Sequence, residues 1–286
     1  MAKNKSGAAV TLLEFDQEAI QAREQAVAQE TDDEIIARLA ERFKVLEEMT
    51  KAVKAGTVRA MIVTGPPGVG KSFGIEHVLS KDDLFNKLAA RKPKYEIVKG
   101  AMSALGLYCK LYEFADDNSV IVFDDCDSIL LDELSLNILK GALDSSERRW
   151  ISWNTDSRLL RSEGIPDRFE FKGAAIFITN IKFETIKSKK LRDHLTALES
   201  RCHYIDLQMD TAREKILRIK QIVGEGMLDR YEFEEDEQQE VLDYIVNNKD
   251  RLRELSLRMV LKIADLRKSF PDTWQSLAST TCVRRT

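Results

Sequence analysis

Apolar positions along the chain fall into two rhythms. Ile35, Leu39, Phe43 and Leu46 recur at spacings of three and four, the stripe of an amphipathic helix. Thr31-Asp32-Asp33-Glu34 just before them has the pattern of a capping box, in which the Thr hydroxyl and the Glu carboxylate satisfy each other's free amides. From residue 58 the rhythm changes. VRAMIVT (58–64), YEIVKG (95–100), SVIVFDD (119–125), AAIFITN (174–180) and HYIDL (203–207) are short runs, apolar throughout rather than alternating. Such runs are expected of strands covered on both faces. Helical stretches separate them, so the predicted architecture is α/β with a parallel sheet. After about residue 210 the strands stop. Thr211-Ala212-Arg213-Glu214 is a second capping box, and helices are expected at 211–225, 235–248, 256–269 and from near Pro271. The expected division is a polar arm at 1–30, an α/β domain at 31–209 and a small all-helical domain at 210–286.

Composition narrows the setting. The chain has 286 residues, 43% of them hydrophobic, enough for one large core or two modest ones. Its 44 basic and 48 acidic residues leave a net charge of -4, without the overall basic excess of many nucleic-acid binders. No apolar run approaches the roughly 18 residues needed to span a bilayer. The first residues lack the apolar core of a secretory signal. A cytoplasmic chain with no membrane partner is therefore expected. Cys109, Cys126, Cys202 and Cys282 are scattered and read as reduced thiols, and His77, His194 and His203 form no ligand cluster.

One motif carries the chemistry. Gly65-Pro66-Pro67-Gly68-Val69-Gly70-Lys71-Ser72 matches G-x-x-x-x-G-K-[ST], with an apolar strand before it and a helix after it. Glycines let backbone amides turn inward toward phosphate oxygens, and the helix aims its positive end at the same place. Lys71 is expected on the β and γ phosphates and the Ser72 hydroxyl on Mg²⁺. Val120-Ile121-Val122-Phe123 ends in Asp124-Asp125. A strand tip beside the loop is where a metal-ordering acid and a water-activating base belong, so Asp124 is assigned to the metal and Asp125 to the water. Asp127 reads as a cap or surface acid.

Further elements follow in order: Asn180 at the tip of AAIFITN, Leu198-Glu199-Ser200-Arg201-Cys202 between a helix and a strand, and Leu255-Ser256-Leu257-Arg258 opening a late helix. Together with the two motifs above, they resemble the AAA+ ATPase family over roughly residues 35–270. The resemblance implies that Gly65 to Ser72 and the neighbouring Phe73 form Walker A and that Asp124 and Asp125 form Walker B. It implies that Asn180 is the sensor 1 that helps place the attacking water. Arg201 is implied as the arginine finger that completes a neighbouring subunit's site, and Arg258 as the sensor 2 of a helical lid. ATP and Mg²⁺ are the implied cofactors. The implied partners are identical subunits in a ring or arc, a hexamer among the options, and a client in DNA replication or recombination. A protein-remodelling role with the same engine, or an ATP-gated scaffold with weak hydrolysis, are the alternatives. Ser-Arg-Cys at 200–202 is similar to clamp-loader subunits, and a one-module chain with a short arm resembles phage-encoded examples. One departure stands out: the family usually has Asp-Glu where this chain has Asp124-Asp125, and the second acid is one methylene shorter.

Three segments are assigned less sharply. Ring translocases of the family often carry a pore aromatic after the second strand; Tyr108 falls in that region, and burial in a helix is the favoured reading. Residues 145–172 are expected to form a hairpin before the Asn180 strand. There Arg148, Arg149, Arg158 and Arg161 are candidate substrate contacts, against a solvated hairpin with Trp150 and Trp153 packed on the core. Lys187, Lys189, Lys190 and Arg192 form a basic run that either touches DNA phosphates or covers a solvated helix face.

Overall fold

The computed structural model describes residues 29–81 and 93–285, and nearly all of the expected arm (1–30) lies outside them. The described residues form two compact units. One contains Arg42–Pro66 and Gly70–Gln208; the other contains Met209 onward together with Pro67–Val69 and the described residues up to Glu41.

The first unit is built on a five-stranded sheet in the order β2-β3-β6-β1-β7, parallel at every pairing. Its strands are β1 (Ala60–Thr64), β2 (Tyr95–Lys99), β3 (Val120–Asp124), β6 (Ala174–Thr179) and β7 (His203–Asp206). Every residue of β1, β3 and β6 is buried, which is why these runs read as continuously apolar. Two hydrophobic clusters cover the faces. One gathers Ile62, Ile121, Phe123 and Phe177 with Leu107, Leu136 and Leu198; the other gathers Val63, Val122 and Ile176 with Leu46, Val53 and Ile75. Each fully buried side chain of this size contributes about 1.5–3 kcal/mol relative to exposure.

The helices up to residue 199 follow from their caps. α1 (Asp32–Lys54) begins at the predicted capping box, with the Thr31 amide donating to Glu34 at 2.8 Å and the Glu34 amide donating to the Thr31 hydroxyl at 3.3 Å. α2 (Lys71–Ser80) follows the glycine-rich loop, and α3 (Ala104–Glu113) is capped by Ser103. A single turn, α4 (Asp127–Leu130), precedes α5 (Glu133–Ala142), capped by Asp132. α7 (Lys189–Glu199) is capped by Ser188.

Residues 145–172 depart from a simple hairpin. β4 (Trp150–Ser152) and β5 (Arg168–Glu170) do pair antiparallel, but a short helix, α6 (Arg158–Ser162), lies between them. Ser157 caps that helix, a local hydrogen bond that the alternating pattern conceals. The two tryptophans divide. Trp153 packs on the core against Tyr108, while Trp150 is 43% exposed beneath the Arg168 guanidinium. Tyr108 is fully buried and its hydroxyl donates to Pro166 O at 2.9 Å, so it is a core residue, as its helical setting favours.

The helical unit packs α8 (Ala212–Ile222), α9 (Glu235–Asn247), α10 (Leu257–Ser269) and α11 (Trp274–Thr281) around Leu228, Val241, Ile245, Val260, Ile263 and Trp274. The second capping box forms as expected, with Thr211 and Glu214 exchanging hydrogen bonds. Arg38 also donates to the fully buried Glu214 at 3.1 Å. Among the described residues no helix is long and apolar enough to cross a membrane.

Candidate nucleotide site

Parallel strands bring their C-terminal tips to one edge of the sheet, and the strand order decides which tips are neighbours. β6 lies between β1, which feeds the loop, and β3, which ends in the acid pair. The residue that follows β6 is Asn180, and it bridges the two. Its Oδ1 accepts from Lys71 Nζ at 2.8 Å, and its Nδ2 donates to Asp125 Oδ1 at 3.0 Å. Lys71 is buried, with Nζ also donating to Gly65 O at 2.7 Å and Pro66 O at 2.9 Å. The ammonium is thus folded back into its own loop.

Beside this chain lies a hydroxyl–carboxylate pair. Ser72 Oγ donates to Asp124 Oδ1 at 2.9 Å, and Asp124 is 4% exposed. Its other oxygen, Oδ2, is 3.0 Å from Lys99 Nζ. Lys99 ends β2, and the β2–β3 register sets it directly opposite Asp124. Asp127 is held separately: half-buried in the first turn of α4, it accepts from Thr179 Oγ1 at 2.7 Å and is neither the cap nor the surface acid expected of it.

The backbone supports the same reading. Gly65, Gly68 and Gly70 have φ of +146°, +70° and +102°. At Gly65 a Cβ would also sit 3.0 Å from Leu207 O, so the first glycine is needed on two counts. Gly70 precedes α2 with no side chain capping its amides, which leaves the helix's positive end toward the loop. Asp125 has φ +53°, a left-handed conformation that Asp and Asn tolerate better than longer side chains. Its amide donates to Ile178 O at 3.0 Å, tying the bend to β6.

These groups suit a nucleotide and a hard divalent cation. A loop with three positive-φ glycines and a nearby ammonium could meet phosphate; a serine hydroxyl beside one buried carboxylate could supply the sparse protein share of a Mg²⁺ site whose other ligands come from phosphate and water. Among the described residues no group of three or more acids, histidines or cysteines could hold a metal ion by itself.

The remaining sequence candidates lie elsewhere. Phe73 is 74% exposed on α2 and stacks with His77. Arg258 is exposed near the start of α10, where within the helical unit the preceding Leu257 donates its amide to Gly68 O at 2.8 Å. Arg201 precedes β7 and sits at the other end of the sheet. The β1–β7 register pairs His203 with Met61, so Arg201 is level with Arg59, six residues before the loop. At roughly 3.3 Å per residue the separation is about 20 Å along the strand. There Arg201 donates to Ala197 O at 2.6 Å and lies 3.8 Å from Asp144, while its buried Nε meets no acceptor among the described residues.

Arg149 is not a substrate contact. It is 7% exposed, donates to Ala142 O at 3.1 Å and Gly173 O at 3.0 Å, and lies over the Phe171 ring. Burial, reinforced by the charge of Arg59, brings its pKa down to about 10. Arg161 is paired with Asp156, and Lys190 with Glu133 at 2.5 Å. The thiols at Cys126 and Cys202 are pushed up to about 11 and about 12, chiefly by burial, in line with inert cysteines.

Sequence reasoning missed two contributors to this edge. Lys99 looked like an ordinary strand-end lysine, and only the inter-strand register reveals its partner. Thr179 looked like another strand residue, and its hydroxyl orients Asp127.

No known protein-family model matches the chain. Among solved structures, that of C. elegans PCH-2 aligns with a TM-score of 0.32 and 15% identity, covering 85% of this chain and 63% of that one. A likeness at that level carries no argument about activity. Among curated proteins, the uncharacterized 36.7 kDa protein in the nrdC-mobD intergenic region of Enterobacteria phage T4 is 33% identical over 253 residues, covering 87% of this chain and 76% of that protein. The chain belongs to the family of that phage T4 protein.

Proposed function

We propose that the chain is an ATPase of the AAA+ type. The observation that carries the reading is the bridge at the strand tips: Lys71, Asn180 and Asp125 are joined in one hydrogen-bonded chain, with Ser72 and Asp124 paired beside them. These side chains come from three separate strand ends, and each has a distinct task in phosphoryl transfer to water. Lys71 leaves the loop carbonyls and meets the β and γ phosphate oxygens. Ser72 and Asp124 would hold Mg²⁺, which when bound neutralises phosphate charge. Asn180 fixes the position of the attacking water. The Asp125 carboxylate accepts the proton that water loses as its oxygen forms the bond to the γ phosphorus and the bond to ADP breaks.

Arg201 is proposed to act on a second copy of the chain. Its place about 20 Å from its own loop along the strand keeps it from the chemistry there, which fits a residue that completes a neighbour's site. The resulting assembly is a ring or arc, and Arg258 in the helical unit reports nucleotide state. The proposed client is a DNA-replication or recombination component. With Tyr108 in the core, the pore aromatic expected of a polypeptide translocase is lost from that position, which favours the DNA client over the protein-remodelling alternative.

A second reading, an ATP-gated scaffold with weak turnover, draws on Asp125. Its shorter side chain is already engaged by Asn180 at 3.0 Å. Steady-state turnover, alone and with single- or double-stranded DNA, separates the readings. Turnover stimulated by DNA is expected. Tight ATP binding without turnover favours the scaffold, and the absence of ATP binding removes both.

A further inference from the structure

Asp124 has both carboxylate oxygens engaged by different partners. Ser72 Oγ holds Oδ1 at 2.9 Å, and Lys99 Nζ holds Oδ2 at 3.0 Å. The two ends of the ion pair are unlike: the Asp124 side chain is 5% exposed and that of Lys99 is 63% exposed. A buried carboxylate is thus neutralised by a cation reaching in from solvent on a flexible stem. Asp125 and Asp127 follow Asp124 by one and three residues, and they are held by Asn180 and Thr179. Beyond Lys99 the backbone turns at Gly100, φ +93°, and the exposed stem of the lysine leaves its ammonium free to move into solvent.

We propose that Lys99 is a positioning residue that stands in for the divalent cation at Asp124, and that it sets how strongly nucleotide binding depends on metal. The inference rests on the nucleotide reading of this site. Without metal, Lys99 supplies the positive charge that keeps Asp124 from repelling a bound phosphate chain. With metal, the lysine gives up Oδ2 and retreats to solvent, because two cations cannot share one buried carboxylate without repulsion. The protein therefore tolerates metal-free nucleotide better, and holds the metal less tightly, than the loop and acid pair alone would allow.

The test compares the full chain with Lys99→Met and Lys99→Arg. Binding of a fluorescent ATP analogue is measured in EDTA and in Mg²⁺, and Mn²⁺ binding to the nucleotide complex is followed by electron paramagnetic resonance. The ratio of the dissociation constant in EDTA to that in Mg²⁺ is expected to rise about tenfold in Lys99→Met, with Mn²⁺ held more tightly. Lys99→Arg is expected to stay near the natural chain. Thermal melting checks that each variant is folded. If all three chains bind the analogue with the same ratio, Lys99 is an ordinary surface ion pair and the inference fails. If Mg²⁺–ATP binds none of them, the nucleotide reading fails first and takes the inference with it.

Discussion

The two ends of the five-stranded sheet hold their polar side chains in opposite ways. At the C-terminal tips, side chains chiefly hold one another: Lys71 with Asn180, Asn180 with Asp125, Ser72 and Lys99 with Asp124, with Lys71 alone also reaching two loop carbonyls. At the N-terminal end, arginines hold backbone. Arg149 donates to Ala142 O and Gly173 O, and Arg59 donates to Asp144 O and Ser146 O. A backbone carbonyl is a fixed acceptor, so the N-terminal contacts are part of the fold. Side-chain contacts can be exchanged for those of a ligand at little net cost, because one hydrogen bond replaces another. One end is fixed and the other is prepared to be rearranged. Arg201 is the exception that makes the comparison useful, since it lies at the fixed end with a guanidinium nitrogen that meets no acceptor among the described residues.

That exception yields the largest predicted effect. Arg201→Ala is expected to lower ATP turnover about a thousandfold while ATP affinity stays nearly unchanged. Mixing it with Lys71→Ala should restore part of the activity, because one kind of mixed interface then carries an intact loop and an intact arginine. Normal turnover by Arg201→Ala would make Arg201 one more structural arginine; Arg192 would then be the next candidate. At the exchangeable end, Asp125→Asn is expected to lower turnover on the order of a hundredfold, with melting temperature and ATP affinity preserved.

The fixed end should answer in stability instead. Arg149→Met leaves two carbonyls without a donor and is expected to cost about 2–3 kcal/mol in chemical denaturation. Turnover per folded molecule should be unaffected. A selective loss of turnover in a stable Arg149→Met protein would break the distinction between the two ends.

The smallest effect calibrates the comparison from outside the sheet. Burial alone would raise the pKa of Glu214, but the Thr211 amide, the Arg38 guanidinium and the Thr211 hydroxyl together outweigh it, leaving the carboxyl below its ordinary value of 4.5. A carboxylate depressed in the folded state stabilises the protein above its unfolded pKa, and that contribution fades as pH falls through the folded value. Glu214→Gln is expected to cost about 1–2 kcal/mol at neutral pH, and the difference from the natural chain should shrink below about pH 4.5. A difference that stays constant down to pH 3 would mean that Glu214 acts through shape alone.

The sequence made some of this legible and hid the rest for identifiable reasons. The strands of the sheet announced themselves because burial on both faces demands continuous apolar runs, and the helix starts did so because caps are local chemistry. Loop, acid pair and Asn180 were visible for the same reason: each is a short pattern at a strand end. What stayed hidden depends on partners far away in the chain. Lys99 meets Asp124 only through the β2–β3 register. Asp125 read as an acid one methylene shorter than the family's, and the left-handed backbone that carries it shows only in the structure. Arg149 read as a surface cation because arginine is rarely buried, and the carbonyls that accept from it belong to distant turns.

The central claim is that the strand-tip cluster is an ATP site, and equilibrium ATP binding by the natural chain and by Lys71→Ala tests it most directly. The account predicts saturable Mg²⁺-dependent binding by the natural chain and at least a hundredfold weaker binding by the variant, with both melting alike. Equal affinity in the two proteins, or no binding by the natural chain, would contradict it.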